Sequence, residues 1–219
     1  MSDEENLRVD ACDRVVLVVD DDQRVRESLA LLLSAFDLRA ITFGSAAEYI
    51  AFQKPDVPAC LILDLELPDM SGLDLQRQSG EEQPPVIFIT GRGDIPSSVR
   101  AMKQGAIDFL TKPFSEGDLM RAIHAALAQD SDSRRRRSEL AGLRRRLSTL
   151  TPREREVLPL VASGLLNKQA AAELGISEIT LQIHRGKIMQ KMEADSLAEL
   201  VRMAGTLEIP MPHSRHAKG

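Results

Sequence analysis

The chain has 219 residues, 43% of them apolar, a formal net charge of −5, no Trp and one Tyr. That length makes one large plus one small domain the default, and the apolar share suits a packed core. No apolar run approaches a membrane span, the acidic start (MSDEENLR) is unlike a signal peptide, and scarce aromatics disfavour stacking recognition of single-stranded nucleic acid.

The charge is unevenly spread. Residues 1–130 carry 23 acidic and 12 basic side chains, net −11, whereas residues 131–219 carry 10 and 16, net +6. An acidic module joined to one able to meet a polyanion is the implied organisation. Cys12 and Cys60 have neither metal nor redox spacing, which points to a reducing cytoplasm.

After an extension over 1–14, the run VVLVV (15–19) predicts a strand that ends in three aspartates, Asp20, Asp21 and Asp22. By itself this also reads as an acidic turn after a core strand. In an open parallel α/β sheet, however, such a strand end is where the ligand site lies, and clustered carboxylates need a hard divalent cation or another neutralising charge. An amphipathic helix follows, with Val25, Leu29, Leu32, Leu33 and Phe36 on one stripe. Further strands are predicted at RAITF (39–43), ACLIL (59–63), VIFI (86–89) and IDFL (107–110), with helices near 46–53, 73–79, 97–104 and 116–128. The nearly continuous apolar runs of the first, third and fourth strands suit a sheet covered on both faces. Five β/α alternations predict a doubly wound, five-stranded parallel α/β domain over 15–128.

The third strand also ends in a carboxylate, Asp64, while the fourth ends in Thr90 and the fifth is followed by Lys112. Three carboxylates, a hydroxyl and an ammonium at one sheet edge suit phosphoryl transfer onto a carboxylate. Asp22 reads as a helix-start carboxylate.

Residues 129–149 (QDSDSRRRRSELAGLRRRLST) break this pattern and read as a solvated, partly helical linker rather than a coiled coil. A small all-α domain of four helices is predicted over 150–207. Its first helix opens with a capping box and Pro at Thr151-Pro152-Arg153-Glu154, and Pro159 should kink it. Asn167 caps a helix over 168–174, Ser177 one over 178–192, and Asp195 the last; the LGIS turn (174–177) makes the middle pair a helix-turn-helix. The tail, 208–219, reads as disordered.

Within helix 178–192, Leu181, His184, Ile188 and Met192 form the inward stripe, so His184 is a core residue rather than a metal ligand. The opposite face carries Gln182, Ile183, Arg185, Gly186 and Lys187. Ile183, off the buried stripe, suits a thymine methyl group, and Gln182 suits adenine. Lys168, Thr180, Arg185, Lys187 and Lys191 are candidate phosphate contacts, with a solvated face the competing reading for Lys191.

The segments DDD (20–22), LDLELPDMSG, IFITG and FLTKPF resemble the receiver domain of two-component response regulators, and GRGDIPSSVRAMKQGAIDFLTKPF (91–114) is similar to the FixJ branch. Residues 150–205 resemble the LuxR-type helix-turn-helix of FixJ- and NarL-like regulators, through TPRE, NKQ, ELGIS and the Thr180–Met192 segment. The resemblance implies a flavodoxin-like receiver with Asp64 as phospho-acceptor. Mg²⁺ would be bound by Asp20, Asp21, Asp64 and the backbone carbonyl of Glu66, while Thr90 and Lys112 would contact the phosphoryl group. A switch would run through Thr90 and Phe109, Lys112-Pro113 would be a cis peptide, and Glu66 and Arg92 would tune self-dephosphorylation.

The function implied is a cytoplasmic transcriptional regulator. It would be phosphorylated by a sensor histidine kinase, would dimerise when phosphorylated, and would bind double-stranded promoter DNA. RNA polymerase is a candidate further partner and no membrane is involved. It would not be an enzyme beyond slow self-dephosphorylation. The alternatives are a phosphorelay intermediate without sequence-specific DNA binding, and an aspartyl phosphatase, whose Asp-x-Asp motif is not met because Glu66 follows Asp64.

Overall fold

The computed structural model describes residues 14–78, 83–91 and 95–211. Most of the expected extension 1–14, the tail beyond residue 211 and Arg92 lie outside the described residues. Five strands, β1 (Val15–Val19), β2 (Arg39–Phe43), β3 (Ala59–Asp64), β4 (Val86–Thr90) and β5 (Asp108–Thr111), form one parallel sheet in the order β2-β1-β3-β4-β5. This is the doubly wound order, whose direction of winding reverses between β1 and β3.

The alternation of side chains along β1 divides the core. Val15, Leu17 and Val19 pack on one face with Phe43, Tyr49, Leu73, Leu75 and Phe88. Val16 and Val18 pack on the other with Leu29, Leu33, Ile62, Leu119 and Ile123. The second face is therefore covered by α1 (Gln23–Ala35) and α5 (Glu116–Ser148), and the first by α2 (Ala46–Ala51), α3 (Gly72–Gln78) and α4 (Ile95–Lys103). Both faces are apolar because both are buried, which is why β1, β3 and β4 read as unbroken apolar runs.

The chain divides into two compact units, the first ending at Arg134 and the second beginning at Arg135. The expectation of a partly helical stretch over 129–149 is replaced by continuous helix to Ser148. Residues 129–148 contain no proline and no β-branched residue, and Arg, Leu, Ala and Glu favour helix. A buried carboxylate anchors this stretch within the first unit. Asp130, 3% exposed, accepts from the Ala59 amide at the start of β3 (2.9 Å) and from Arg134 Nε (2.7 Å), and Arg134 also reaches Asp56 at 2.5 Å. Burial, helped by the nearby Asp130 charge, pushes the Cys60 thiol up, so that it is an inert core group.

The second unit contains α6 (Pro152–Ala162), α7 (Asn167–Leu174), α8 (Glu178–Met192) and α9 (Leu197–Thr206) around Val157, Leu158, Leu181, Ile188, Met192 and Leu200. The capping box at Thr151 and Glu154 is formed, and Pro159 lies inside α6. Two caps differ from expectation. Leu166 occupies the N-cap of α7, its amide held by the Gln169 side chain (3.0 Å), and Asn167 is the first helical residue. Ser196 rather than Asp195 caps α9, accepting from Glu199, while the Asp195 amide donates to the Glu199 carboxylate. Gly175 takes φ +62° to end α7, a conformation costly for other residues, and the Ile176 amide closes the turn on the Ala171 carbonyl (3.0 Å). Ile209, within the expected tail, instead packs on this core, its amide donating to the Ala204 carbonyl (3.0 Å), because it is the tail's first large apolar side chain.

Asp130→Ala leaves the Ala59 amide buried and unbonded and should lower stability by about 2–3 kcal/mol. Arg134→Ala takes a cation from the same buried carboxylate and should cost a comparable amount, about 2–3 kcal/mol, rather than the fraction of a kcal/mol typical of a surface pair; urea denaturation of both full-length variants checks this.

Candidate functional site

The parallel register brings the candidate groups together. β1 and β3 pair from Val15↔Ala59 to Val19↔Leu63, so Asp20 and Asp64 emerge side by side at the C-terminal edge. β4 and β5 pair through Thr90↔Thr111, and the Lys112 amide donates to the Thr90 carbonyl at 2.7 Å. Four segments distant in sequence thus end at one level. Asp20 is fully buried and Asp64 and Thr90 nearly so, while Asp21 is exposed. One oxygen each from Asp20, Asp21 and Asp64 lies within 4.8 Å of the others. Lys112 Nζ bridges the two buried carboxylates, 2.6 Å from Asp20 and 2.7 Å from Asp64.

Burial raises the Asp20 pKa above the ordinary carboxylate range, against the opposing pull of Lys112. Burial pulls Lys112 down, but its bonds to Asp20 and Asp64 outweigh this and hold the ammonium above its ordinary value. The three carboxylates offer only oxygen donors, with one exposed at the mouth, a set that fits a hard divalent cation.

Surrounding contacts fix this geometry. The Asp22 side chain caps α1 by accepting from the Arg24 amide (2.8 Å), and the Asp22 amide donates to Asp20 Oδ1 (2.9 Å). The Glu66 amide donates to Asp64 Oδ1 at 3.1 Å. A Cβ on Gly72 would lie 2.3 Å from the Asp64 carbonyl oxygen, so only glycine lets α3 start there. Phe109 is half-buried, its ring 6.4 Å from that of Phe88. Lys112-Pro113 is cis.

Arg26 was not singled out from the sequence. Its guanidinium donates to the backbone carbonyls of Asp20 (2.7 Å) and Asp21 (2.9 Å), tying α1 to the loop that carries two of the carboxylates. The only sequence signal is its place one turn into the helix after the aspartates, which also suits a surface arginine.

In the second unit, α8 divides as its periodicity predicts. Leu181, Ile188 and Met192 are fully buried, and His184 is half-buried with Nδ1 enclosed and unbonded. Gln182, Ile183, Gly186 and Lys187 are exposed, as is Lys168 on α7. Arg185 is half-buried and donates to the Asn167 side chain (3.3 Å), and the Thr180 hydroxyl lies 2.8 Å from that of Ser177. Lys191 differs from the phosphate-contact expectation. Its ammonium is 2.7 Å from Glu154, which is 2% exposed and also accepts from the Thr151 amide (2.8 Å). Among the described residues no other cation pairs with this buried carboxylate, which therefore holds the lysine within the fold.

The first part of the chain matches the model of the response regulator receiver domain over residues 16–124, and the second matches that of bacterial regulatory proteins of the luxR family over 148–204. The chain is 48% identical over 206 residues to Nodulation protein W of Bradyrhizobium diazoefficiens, covering 93% of this chain and 91% of that protein. It is 43% identical over 199 residues to the transcriptional regulatory protein FixJ of Rhizobium meliloti, covering 88% and 95% respectively. The structure of the response regulator StyR, 45% identical, superposes with a TM-score of 0.79 over 88% of this chain and 98% of that one. Full-length FixJ from B. japonicum, 34% identical, gives 0.51 over 90% and 98%. Among the described residues no helix is long and apolar enough to cross a membrane.

Asp20→Asn keeps an oxygen for the Asp22 amide and removes a carboxylate whose charge burial penalises. In metal-free buffer this variant should be more stable than the wild type by about 1 kcal/mol, read from thermal unfolding. The Lys191 ammonium holds the Glu154 carboxyl down at about 2, from an ordinary 4.5. A depressed carboxyl stabilises the fold fully above its unfolded pKa and loses that contribution as pH falls through the folded one. The gap in thermal midpoint between wild type and Glu154→Gln should therefore be widest above about pH 5 and close toward pH 2.

Proposed function

Because the chain belongs to the response regulators that join a receiver domain to a LuxR-type DNA-binding domain, we propose that it is a transcriptional regulator switched by phosphorylation of Asp64. The observation that carries this reading is the bridge of Lys112 between Asp64 and Asp20 beside Asp21, at the mouth of the sheet. A sensor histidine kinase supplies the phosphoryl group. An Asp64 carboxylate oxygen attacks phosphorus, the P–N bond of the phosphohistidine breaks, and its electron pair leaves with the imidazole nitrogen.

Asp20, Asp21, Asp64 and the Glu66 carbonyl would hold Mg²⁺, which when bound supplies positive charge against the phosphoryl oxygens. Lys112 and Thr90 contact those oxygens, and Arg26 keeps the β1–α1 loop in place for Asp20 and Asp21. The chain is a phospho-acceptor rather than a turnover enzyme. Movement of Thr90 and inward rotation of Phe109 carry the change to the face formed by α4 and β5, which pairs two copies.

In this reading residues 15–128 are the receiver, 129–149 the connection and 150–207 the DNA-binding domain, working in the cytoplasm. A dimer brings two α8 helices to two half-sites of promoter DNA. Gln182 and Ile183 read base edges, while Lys168, Thr180, Arg185 and Lys187 contact phosphates.

The test is phosphorylation by acetyl phosphate with and without Mg²⁺, read by intact-protein mass. Wild type should gain one phosphoryl group only with Mg²⁺, and Asp64→Asn should gain none and stay monomeric. Labelling of Asp64→Asn at the wild-type rate would refute the assignment.

A further inference from the structure

Among the described residues, three of the large apolar side chains most open to solvent fall in one short segment: Leu166 (70% exposed), Ile179 (72%) and Ile183 (54%). Leu166 sits at the N-cap of α7, whereas Ile179 and Ile183 lie one turn apart on α8 and share a face. That face is directed away from the core, because Leu181, Ile188 and Met192 define the buried side of the same helix.

Gly186 continues the row. Positions 179, 183 and 186 follow the i, i+4, i+7 spacing of a single helical stripe. A glycine inside an exposed helix costs roughly 0.5–1 kcal/mol relative to alanine. Nothing in the fold requires it. Among the described residues a Cβ at 186 would meet no atom within 4 Å, and Gly186 is absent from the positive-φ residues. Glycine there removes bulk from the outer surface alone, where another molecule would approach. The cations Arg185 and Lys187 stand on either side of it in sequence, and Lys168 is exposed on the neighbouring helix. An apolar stripe with a cleared patch and basic flanks suits a polyanion that carries small apolar groups in a groove. In duplex DNA those groups are the C5-methyls of thymine.

We infer that Ile179, Ile183 and Gly186 form one reading stripe, with Ile179 and Ile183 each seated on a thymine methyl and Gly186 admitting the helix close to the duplex. This rests on the DNA-binding reading above and deepens it by specifying what the operator must contain. Residues four apart on a helix are separated by about 6 Å along its axis, close to two base steps of about 3.4 Å. Each half-site should therefore carry two thymines, on either strand, within about two base pairs of one another. Ile179 adds a specificity determinant beyond Gln182 and Ile183.

The test begins with full-length protein, phosphorylated by acetyl phosphate and Mg²⁺, selecting from a random duplex DNA pool. The enriched duplex is then remade with deoxyuridine replacing thymidine one position at a time, which deletes only the methyl group. Wild-type affinity, read by fluorescence anisotropy, should fall about three- to tenfold at two nearby positions of each half-site and little elsewhere. Ile179→Ala should abolish the penalty at one of these positions and Ile183→Ala at the other, with phosphorylation at Asp64 unchanged in both. Gly186→Leu should weaken the selected duplex at least tenfold while retaining the helical content of the wild type.

If sequences are enriched but deoxyuridine carries no penalty, or if the penalties survive in Ile179→Ala, the stripe assignment falls and the DNA-binding reading stands. If no sequence is enriched, both fall. If the exposed isoleucines instead hold a protein partner, Ile179→Ala will bind every duplex as wild type does, which also overturns the inference.

Discussion

One ammonium group between two buried carboxylates organises the first unit. Asp20 and Asp64 end adjacent parallel strands, and the sheet register leaves them no freedom to separate. Without Lys112, at 2.6 and 2.7 Å, two like charges would face each other in a site almost closed to water. The burial that raises the Asp20 pKa also makes the site receptive to added positive charge. Such a cluster costs stability that an apolar edge would not, the trade expected of a functional site rather than of a structural one.

Elsewhere the chain uses buried charge differently. Asp130 and Glu154 are nearly inaccessible, yet each meets a cation and a backbone amide, so their oxygens are satisfied within the fold. The first ties α5 to the start of β3, and the second locks α8 to the N-terminus of α6. The Asp130 cation is itself shared, since Arg134 also reaches the exposed Asp56. The acidic edge differs in holding two buried carboxylates on one cation, with an oxygen of the exposed Asp21 within 4.8 Å of both, an arrangement that leaves room for a further cation.

The helical unit presents the complementary surface. Its buried faces are aliphatic and conventional, while the outer face of α8 combines two exposed isoleucines, a glycine and flanking cations. Such a face is costly in water and is explained by a ligand with both charge and methyl groups. Membership of the luxR family makes DNA the ligand this unit binds.

Much was legible in the chain itself. Unbroken apolar runs at 15–19, 59–63 and 86–89 determine a sheet buried on both faces, and period 3.6 in 178–192 determines which side of α8 turns inward, because these patterns depend only on local geometry and solvent. Asp20, Asp21, Asp64, Thr90 and Lys112 were readable as strand-end residues for the same reason. The helix over 129–148 was under-read because its apolar stripe is thin, and part of its support comes from the Asp130 contact with a residue 71 positions earlier. Lys191 looked like any basic residue on a polar face until Glu154, 37 positions away, took its ammonium. Arg26 gains its role only when the loop carbonyls of Asp20 and Asp21 turn toward it. Periodicity reports burial, but the partner of a charge is chosen by contacts between distant segments, and only the tertiary fold creates those.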